Sequence, residues 1–414
     1  MRRCRENIGK DSYLRTLVKR YPTLFQKALY TLIILLIYQI GRSLPLYGID
    51  IDYYAKQVDT VESLLMQTVS GSKYYNTVFS LGISPYMMSM LLVQIIAACR
   101  SEDAKKRTSP KALNIITIYM TGIFAVIEAF IRTANLKFRY SQEMVPLCRF
   151  IAITELVTGV MIIMGLCSRN KTYGIGGQML LILINIIDGF TSTLAKHEKS
   201  ELIIPFVIML IIGLLTIVLE NAELRIPVHR ISIYNIYHDK NYIAFKLNPV
   251  GAMPIMFAAV FFLIPQFGSL LLLLLFPQNE TLQFIQENMT LNMPLGMKVY
   301  IFIIFFTTIV FSLIFISPKD MAEALMKGGD TILSLRAGKQ TRRYLSIRLI
   351  FIAFFSACFM SLCVGIPMLL QLKGKLDSSL TMIPMTAMAL VSISCNFIRD
   401  AKSIRDLDGY RPFL

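Results

Sequence analysis

Residues able to make or break bonds are sparse in this chain, and none stands at the spacing a reaction requires. The three histidines, His197, His229 and His238, fall in connecting stretches. The seven cysteines include no C-x-x-C pair and have no histidine at ligand spacing, so neither a zinc site nor a disulfide framework is indicated. Gly174, Gly176 and Gly177 imitate half of a dinucleotide-binding G-x-G-x-x-G, but Met179 takes the place of the last glycine. A phosphate loop around Gly338-Lys339 fails twice, because Gln340 follows where a hydroxyl residue is needed and Leu333 replaces the first glycine. No Ser/Lys or paired-aspartate site is evident, and no enzyme activity, cofactor or metal is expected. What recurs instead is an apolar pair at i, i+4 on one helix face: Ile83 with Met87, Met179 with Leu183, Ala252 with Met256. Around a narrow passage such side chains exclude water and ions until something displaces them. Ordinary core packing is the competing reading for any one of the 23 methionines.

The elements that must position these pairs are interrupted at their starts. Phe79–Cys99 is apolar over a spanning length yet carries Gly82 and Pro85 near its beginning, and in lipid such a break is tolerated only against protein or a water-filled cavity. Pro249 and Pro254 interrupt the segment opening at 249 in the same way. Val61–Ser72, half-apolar and too short to span, is expected to dip into the membrane and return. The chain as a whole is 55% hydrophobic and 16% charged, with a mean hydropathy of +0.58, where soluble domains run at about 45–50% and 25%. It is therefore an integral membrane protein. Apolar windows near spanning length fall at 24–42, 79–99, 113–134, 145–166, 174–193, 201–220, 249–276, 296–316, 347–370 and 380–398, which predicts an all-α membrane protein of ten transmembrane helices.

Lysine and arginine in alternate connections outnumber those in the other set by about three to one, and the richer set includes both chain ends, so both termini are expected in the cytoplasm. Residues 1–23 read as an amphipathic cytoplasmic N-terminus, with Tyr13, Leu14, Leu17, Val18 and Tyr21 on one face and Arg15, Lys19 and Arg20 on the rest. Segments 24–193 and 201–399 hold five spans each, an odd number that inverts one half relative to the other. Cytoplasmic loops are expected at 221–248 and 317–346, and a cytoplasmic tail at 400–414. The first apolar run contains Lys27 and lacks an A-x-A-like site, so it is expected to be retained. Most of the +16 net charge lies on the cytoplasmic face, where it sets topology and suits an acidic partner or anionic lipid.

Six stretches along the chain resemble SecY, the channel subunit of the Sec protein translocase. LGISPYMMSMLLVQII, with Leu81, Gly82, Ile83, Pro85, Tyr86 and Gln94, is similar to that family's second helix. GRSLPLYGI matches the end of its first helix and GIGGQ the opening of its fifth. ELRIPVHR and FKLNPVGAMPIMFA follow, matching at Arg225, Ile226, Pro227 and Val228, then Lys246, Asn248, Gly251, Pro254, Phe257 and Ala258. The most diagnostic loop, Ile316–Leu345, fits at Lys319, Asp320, Met321, Ala322, Glu323, Arg336, Gly338, Thr341, Tyr344 and Leu345. Met87, Met179 and Met256 stand where SecY proteins usually carry isoleucine, and loops are trimmed. Both departures are similar to SecY of the accessory Sec system of Gram-positive cocci, which exports large serine-rich glycosylated adhesins with its own SecA ATPase.

The resemblance implies a SecY-like channel in a bacterial plasma membrane, whose pore ring would be Ile83, Met87, Met179, Leu183, Ala252, Met256 and Ile383. It implies a plug about 61–72 that includes Val61, Leu64, Leu65 and Val69, and a lateral gate that includes Gln94. Arg225, Arg336, Lys339, Arg342 and Arg343 would dock a SecA-type ATPase, since the chain has no nucleotide motif of its own. The other implied partners are small accessory Sec membrane subunits, an unfolded preprotein and the lipid bilayer, with no nucleic acid. The rival reading is a secondary transporter, also commonly built from inverted repeats. It would need ionisable groups near the midplane, whereas Glu128, Asp188 and Glu220 lie near span ends and only Glu155 is central.

Overall fold

A computed structural model of the chain describes residues 22–49, 77–99, 109–134, 136, 138–139, 144–197, 201–230, 242–276, 279–332, 335 and 338–410. These form helices α1 (Pro22–Ser43), α2 (Ser84–Cys99), α3 (Pro110–Ala134), α4 (Val145–Tyr173), α5 (Met179–Lys196) and α6 (Ile203–Asn221), then strands β1 (Glu223–Arg230) and β2 (Tyr242–Lys246). After these come α7 (Met253–Leu275), α8 (Glu280–Asn288), α9 (Pro294–Phe315), α10 (Pro318–Gly328), β3 (Asp330–Ile332), α11 (Lys339–Leu372) and α12 (Ser378–Tyr410). The described residues divide into two compact units. One comprises those up to Gly189 together with Ile393 onward, and the other comprises Phe190–Ser392.

Among the described residues seven helices are long and apolar enough to cross a membrane, and α2 and α5 are shorter apolar helices. Their faces are inverted relative to a soluble protein. Along α3 the buried positions are Thr117, Thr121, Ala125, Ala129 and Thr133, a small-residue stripe at i+4 spacing, while Ile115, Tyr119, Ile123, Val126 and Phe130 are exposed. Small residues let helices approach where lipid tails leave no hydrophobic drive for association, and large apolar side chains are left for the lipid. The buried hydroxyls are satisfied within their own helix, as when Thr121 Oγ1 donates to the Thr117 carbonyl at 2.7 Å and Thr133 Oγ1 to that of Ala129 at 2.9 Å.

In the first unit, α3 and α4 close on a core of Leu46, Ile49, Leu81, Ala125, Ala129, Leu156 and Val160. In the second, α7, α9, α11 and α12 share a larger core that includes Phe262, Tyr300, Ile304, Met360 and Met388. The second unit also carries the one departure from helix among the named elements. The segment read as loop 221–248 forms an antiparallel hairpin, with Glu223 opposite Lys246 and Pro227 opposite Tyr242, and β3 joins the far half of β1 to give the order β2-β1-β3. Ile226, Phe245 and Ile332 of this sheet pack with Ala322 of α10 and with Leu345, Leu349 and Ile352 of α11. That packing explains why α11 begins eight residues before the apolar window at 347. α10 is sharply bounded, because the Ser317 side chain accepts from Asp320 N, Pro318 takes the first turn, and Gly329 closes the helix at φ +70°.

Close approach makes Gly159 of α4 specific, since a Cβ there would fall on the Val78 carbonyl oxygen. Gly159→Ala is expected to cost about 1–3 kcal/mol, as overpacking does. Gly165→Ala, where a Cβ meets open space, is expected to be neutral or mildly stabilising. Thermal unfolding of the two purified variants in detergent reads the difference.

Candidate functional site

Three helices carrying the recurrent apolar pairs start late, each two residues after a glycine with positive φ. Before α2 the chain turns through 77–83 with Gly82 at φ +58°, before α5 Gly176 and Gly177 take +73° and +52°, and before α7 Gly251 takes +66°. Only glycine adopts these angles without strain. The apolar windows begin five, five and four residues before the helices do, and the described part of α2 is about 24 Å long at 1.5 Å per residue.

Each turn is held by buried polar side chains. At α2, Arg132 of α3 donates to the Ser80 carbonyl, Ser84 hydrogen-bonds Glu128 of α3, and Val78 N donates to the Leu44 carbonyl at 3.0 Å. At α5, the fully buried Asn170 donates through Nδ2 to the carbonyls of Ile175 at 3.2 Å and Gly177 at 2.7 Å. Its Oδ1 accepts from Thr31 of α1 at 3.1 Å, and Thr31 Oγ1 accepts from Ile175 N at 2.9 Å. At α7, Asn248 accepts from Gly251 N at 3.1 Å and from Ser356 of α11 at 3.2 Å, and donates to the Glu220 carboxylate at 2.8 Å. Glu220, also buried, accepts from Ser392 of α12 as well. Sequence reasoning placed Glu220 at a span end and Asn248 in a motif, and missed Asn170. A lone polar residue beside a glycine turn at the edge of an apolar window is the signal that marks Asn170 and Asn248.

The pairs sit on these fixed starts. Met87 N donates to the Ile83 carbonyl at 3.0 Å across the first turn of α2, and Met256 N to that of Ala252 at 3.4 Å at the head of α7. Met179 is the first residue of α5 and Leu183 lies one turn on. Ile83, Met87, Ala252 and Met256 are buried, and Met179 and Leu183 partly so. Ile83, Met87, Met179 and Leu183 belong to the first unit, and Ala252, Met256 and Ile383 to the second. Ile383 packs on Leu376 and Leu380, with Phe190, Leu194 and Leu202 around them. Gln94 is half-buried on α2. Val61, Leu64, Leu65, Val69 and Arg336 lie outside the described residues.

On the sheet-bearing body of the second unit, Arg225 of β1 is exposed, with its guanidinium 4.7 Å from the Tyr242 ring centroid and 3.9 Å from the Glu223 carboxylate. Lys339, Arg342 and Arg343 are exposed on the first turns of α11, whose Thr341 and Leu345 are buried. Glu155, the carboxylate a transporter would need, accepts from the Tyr47 amide at 3.0 Å. The donors of His197, Glu201 and Asp377 lie within 4.8 Å of one another, and a 3.2 Å His197–Glu201 hydrogen bond beside an exposed aspartate accounts for that grouping.

The family model for SecY matches residues 77–397. The chain belongs to the SecY family. SecY proteins are protein-translocation channels rather than enzymes, and this chain is a multi-pass membrane channel of that kind. It is 28% identical over 411 residues to the accessory Sec system protein translocase subunit SecY2 of Streptococcus parasanguinis, covering 94% of this chain and 97% of that one. To the same-named subunit of Staphylococcus aureus it is 26% identical over 408 residues, with 95% and 97% covered. Among solved structures, a protein-conducting channel superposes with a TM-score of 0.67 at 18% identity over 93% of each chain. Sec61 from a canine ribosome-channel complex gives 0.61 at 16% identity, again over 93% of each. At these identities the superpositions speak for the fold.

If the clamps hold the late helix starts, Asn248→Ala and Asn170→Ala each leave several buried groups unpaired, at about 1–3 kcal/mol per group. Asn221→Ala, whose exposed side chain bonds only within its own helix, should stay within about 0.5 kcal/mol. Unfolding midpoints in detergent separate the two classes, and equal losses at all three positions would remove the clamp assignment.

Proposed function

We propose that the chain is the channel subunit of an accessory Sec translocase in a bacterial plasma membrane, with both termini cytoplasmic, exporting unfolded preproteins of the serine-rich glycosylated adhesin class. The observation that carries this reading is the repeated late helix start bearing an apolar pair on a pinned turn. A passage for polypeptide needs side chains that close against ions yet yield to a chain, and it needs backbone that does not collapse when they yield. Ile83, Met87, Met179, Leu183, Ala252, Met256 and Ile383 are proposed as that constriction, and Val61–Ser72 as the segment that seals it at rest. Gln94 is proposed to lie at the lateral exit to lipid.

In planar bilayers, Met87→Asp and Met256→Asp should raise ion leak through the resting channel, because a carboxylate in the constriction holds water there. Deleting 61–72 should raise it without preventing assembly. Unchanged conductance in all three variants would reject the constriction.

The energy source must be a partner, and small accessory Sec membrane subunits are proposed to complete the complex. A SecA-type ATPase is proposed to dock on Arg225, Arg336, Lys339, Arg342 and Arg343. Four of these are displayed on one packed body of sheet, α10 and α11, which supports a preformed docking face over scattered topology charges. Loss of one exposed charge costs about 1 kcal/mol or less, whereas truncating a desolvated contact costs about 2–5 kcal/mol. Arg336→Glu, and Arg342→Glu with Arg343→Glu, should therefore leave membrane insertion intact and sharply reduce motor-driven export. Lys373→Ala should change nothing. Full export by the glutamate variants at matched protein level would leave these charges as topology signals.

A further inference from the structure

Asp188 is an unusual residue for an apolar helix, and α1 answers it. Arg42 Nη1 donates to Asp188 Oδ2, and one turn earlier on each helix Tyr38 OH donates to Asn185 Oδ1 at 2.8 Å. The Arg42 guanidinium also lies 5.7 Å from the Tyr38 ring centroid and is 3.4 Å from Gln39 Oε1. The Arg42 side chain is 8% exposed and that of Asp188 37%. Tyr38 reaches a third element as well. It is fully buried and stacks on Phe79, centroids 5.9 Å apart, in the turn before α2, where Phe79 fills the space a Cβ on Gly41 would take.

Two polar rungs one turn apart fix both the height and the rotation of α5 on α1, which a single contact would not. A slide of one turn, about 5.4 Å, would set Arg42 beside Asn185 and bring Tyr38 OH to Leu181 or Ile182, where no hydrogen bond is available. Apolar packing between these helices would tolerate many registers, and buried polar pairs are best attested where one register must be specified.

We propose that Tyr38 and Arg42 of α1, through Asn185 and Asp188 of α5, form a polar latch that sets the resting position of α5 and so of Met179 and Leu183. These four are positioning residues and do not touch the passing chain. The inference rests on the constriction reading above, and Leu183→Asp tests that reading separately.

The test is resting ion leak of the purified, reconstituted channel, with thermal unfolding as a folding control. Asp188→Asn, which is isosteric, and Arg42→Gln, which removes the charge and shortens the side chain, should each raise leak by about tenfold, a shift in the closed population of the size one charge-assisted contact supplies. Tyr38→Phe should raise it less. The exchange Arg42→Asp with Asp188→Arg should return leak toward that of the unmodified channel. If Leu183→Asp leaks and the neutral variants do not, the latch is wrong and the constriction stands. If the charge exchange leaks as much as the single variants, the effect is lost packing and the latch is again wrong. If Leu183→Asp itself does not leak, Leu183 is not part of the constriction and the latch, which acts through it, falls.

Discussion

A helix that begins inside a membrane leaves backbone amides and carbonyls that lipid cannot solvate, at several kcal/mol each, and this chain meets that constraint at α2, α5 and α7. In all three the answer is a glycine turn whose polar groups are taken up by side chains, from other helices before α2 and α5 and from Asn248 of the turn itself before α7, where Glu220 and Ser356 hold that asparagine. Asn170 and Thr31 serve the turn before α5, Asn248 with Glu220 and Ser356 the turn before α7, and Arg132 and Glu128 the turn before α2. The clamps are side chains because the bonding groups must reach into a turn whose carbonyls point in several directions. Asparagine is well suited, since one amide both donates and accepts.

These clamps also explain where the small residues lie. A side chain reaches a turn on a neighbouring helix only if the backbones come close, which the α3 stripe of Thr117, Thr121, Ala125, Ala129 and Thr133 permits. Gly159 does the same for Val78, at the root of the turn before α2. Inside-out burial and interrupted helices are therefore two consequences of one requirement. Large apolar side chains go to lipid, and the interior is reserved for close backbone approach and polar connection.

What was legible in the sequence was local. Gly82 with Pro85 and Pro249 with Pro254 each act within a turn of their own position, so those breaks could be read directly, whereas Gly176 and Gly177 were read only as a failed dinucleotide motif and a family resemblance. The clamps could not, because Thr31 and Asn170 are 139 residues apart, and Glu220 and Ser392 are 172 apart. The Arg42–Asp188 pair was hidden for the same reason, and Asp188 alone reads as a solvated end. The sheet escaped notice because β3 is three residues long and joins β1 only through the fold. Arg225, Arg342 and Arg343 were legible as charge, and their common support on the body of α10, α11 and the sheet was not.

A pinned turn has a mechanical consequence for the side chains it carries. With Ile83, Met179 and Ala252 at or next to a fixed helix start, the backbone at the proposed constriction has little freedom to widen by local unwinding, since that would break the hydrogen bonds that hold the turn. Adaptation to a bulky or polar passing residue must then come from side-chain rotation or from rigid displacement of whole helices. Methionine at 87, 179 and 256 supplies the first, because an unbranched thioether moves aside through several low-cost rotamers where a β-branched isoleucine is stiff at χ1. The clamps fix the second at its resting position. A chain that replaced these methionines with isoleucine while keeping the clamps would have a narrower range of yielding without becoming better packed. On the proposed constriction, soft side chains and rigid turns are parts of one solution: the turn would keep the passage from collapsing, and the thioethers would let it close around whatever is inside.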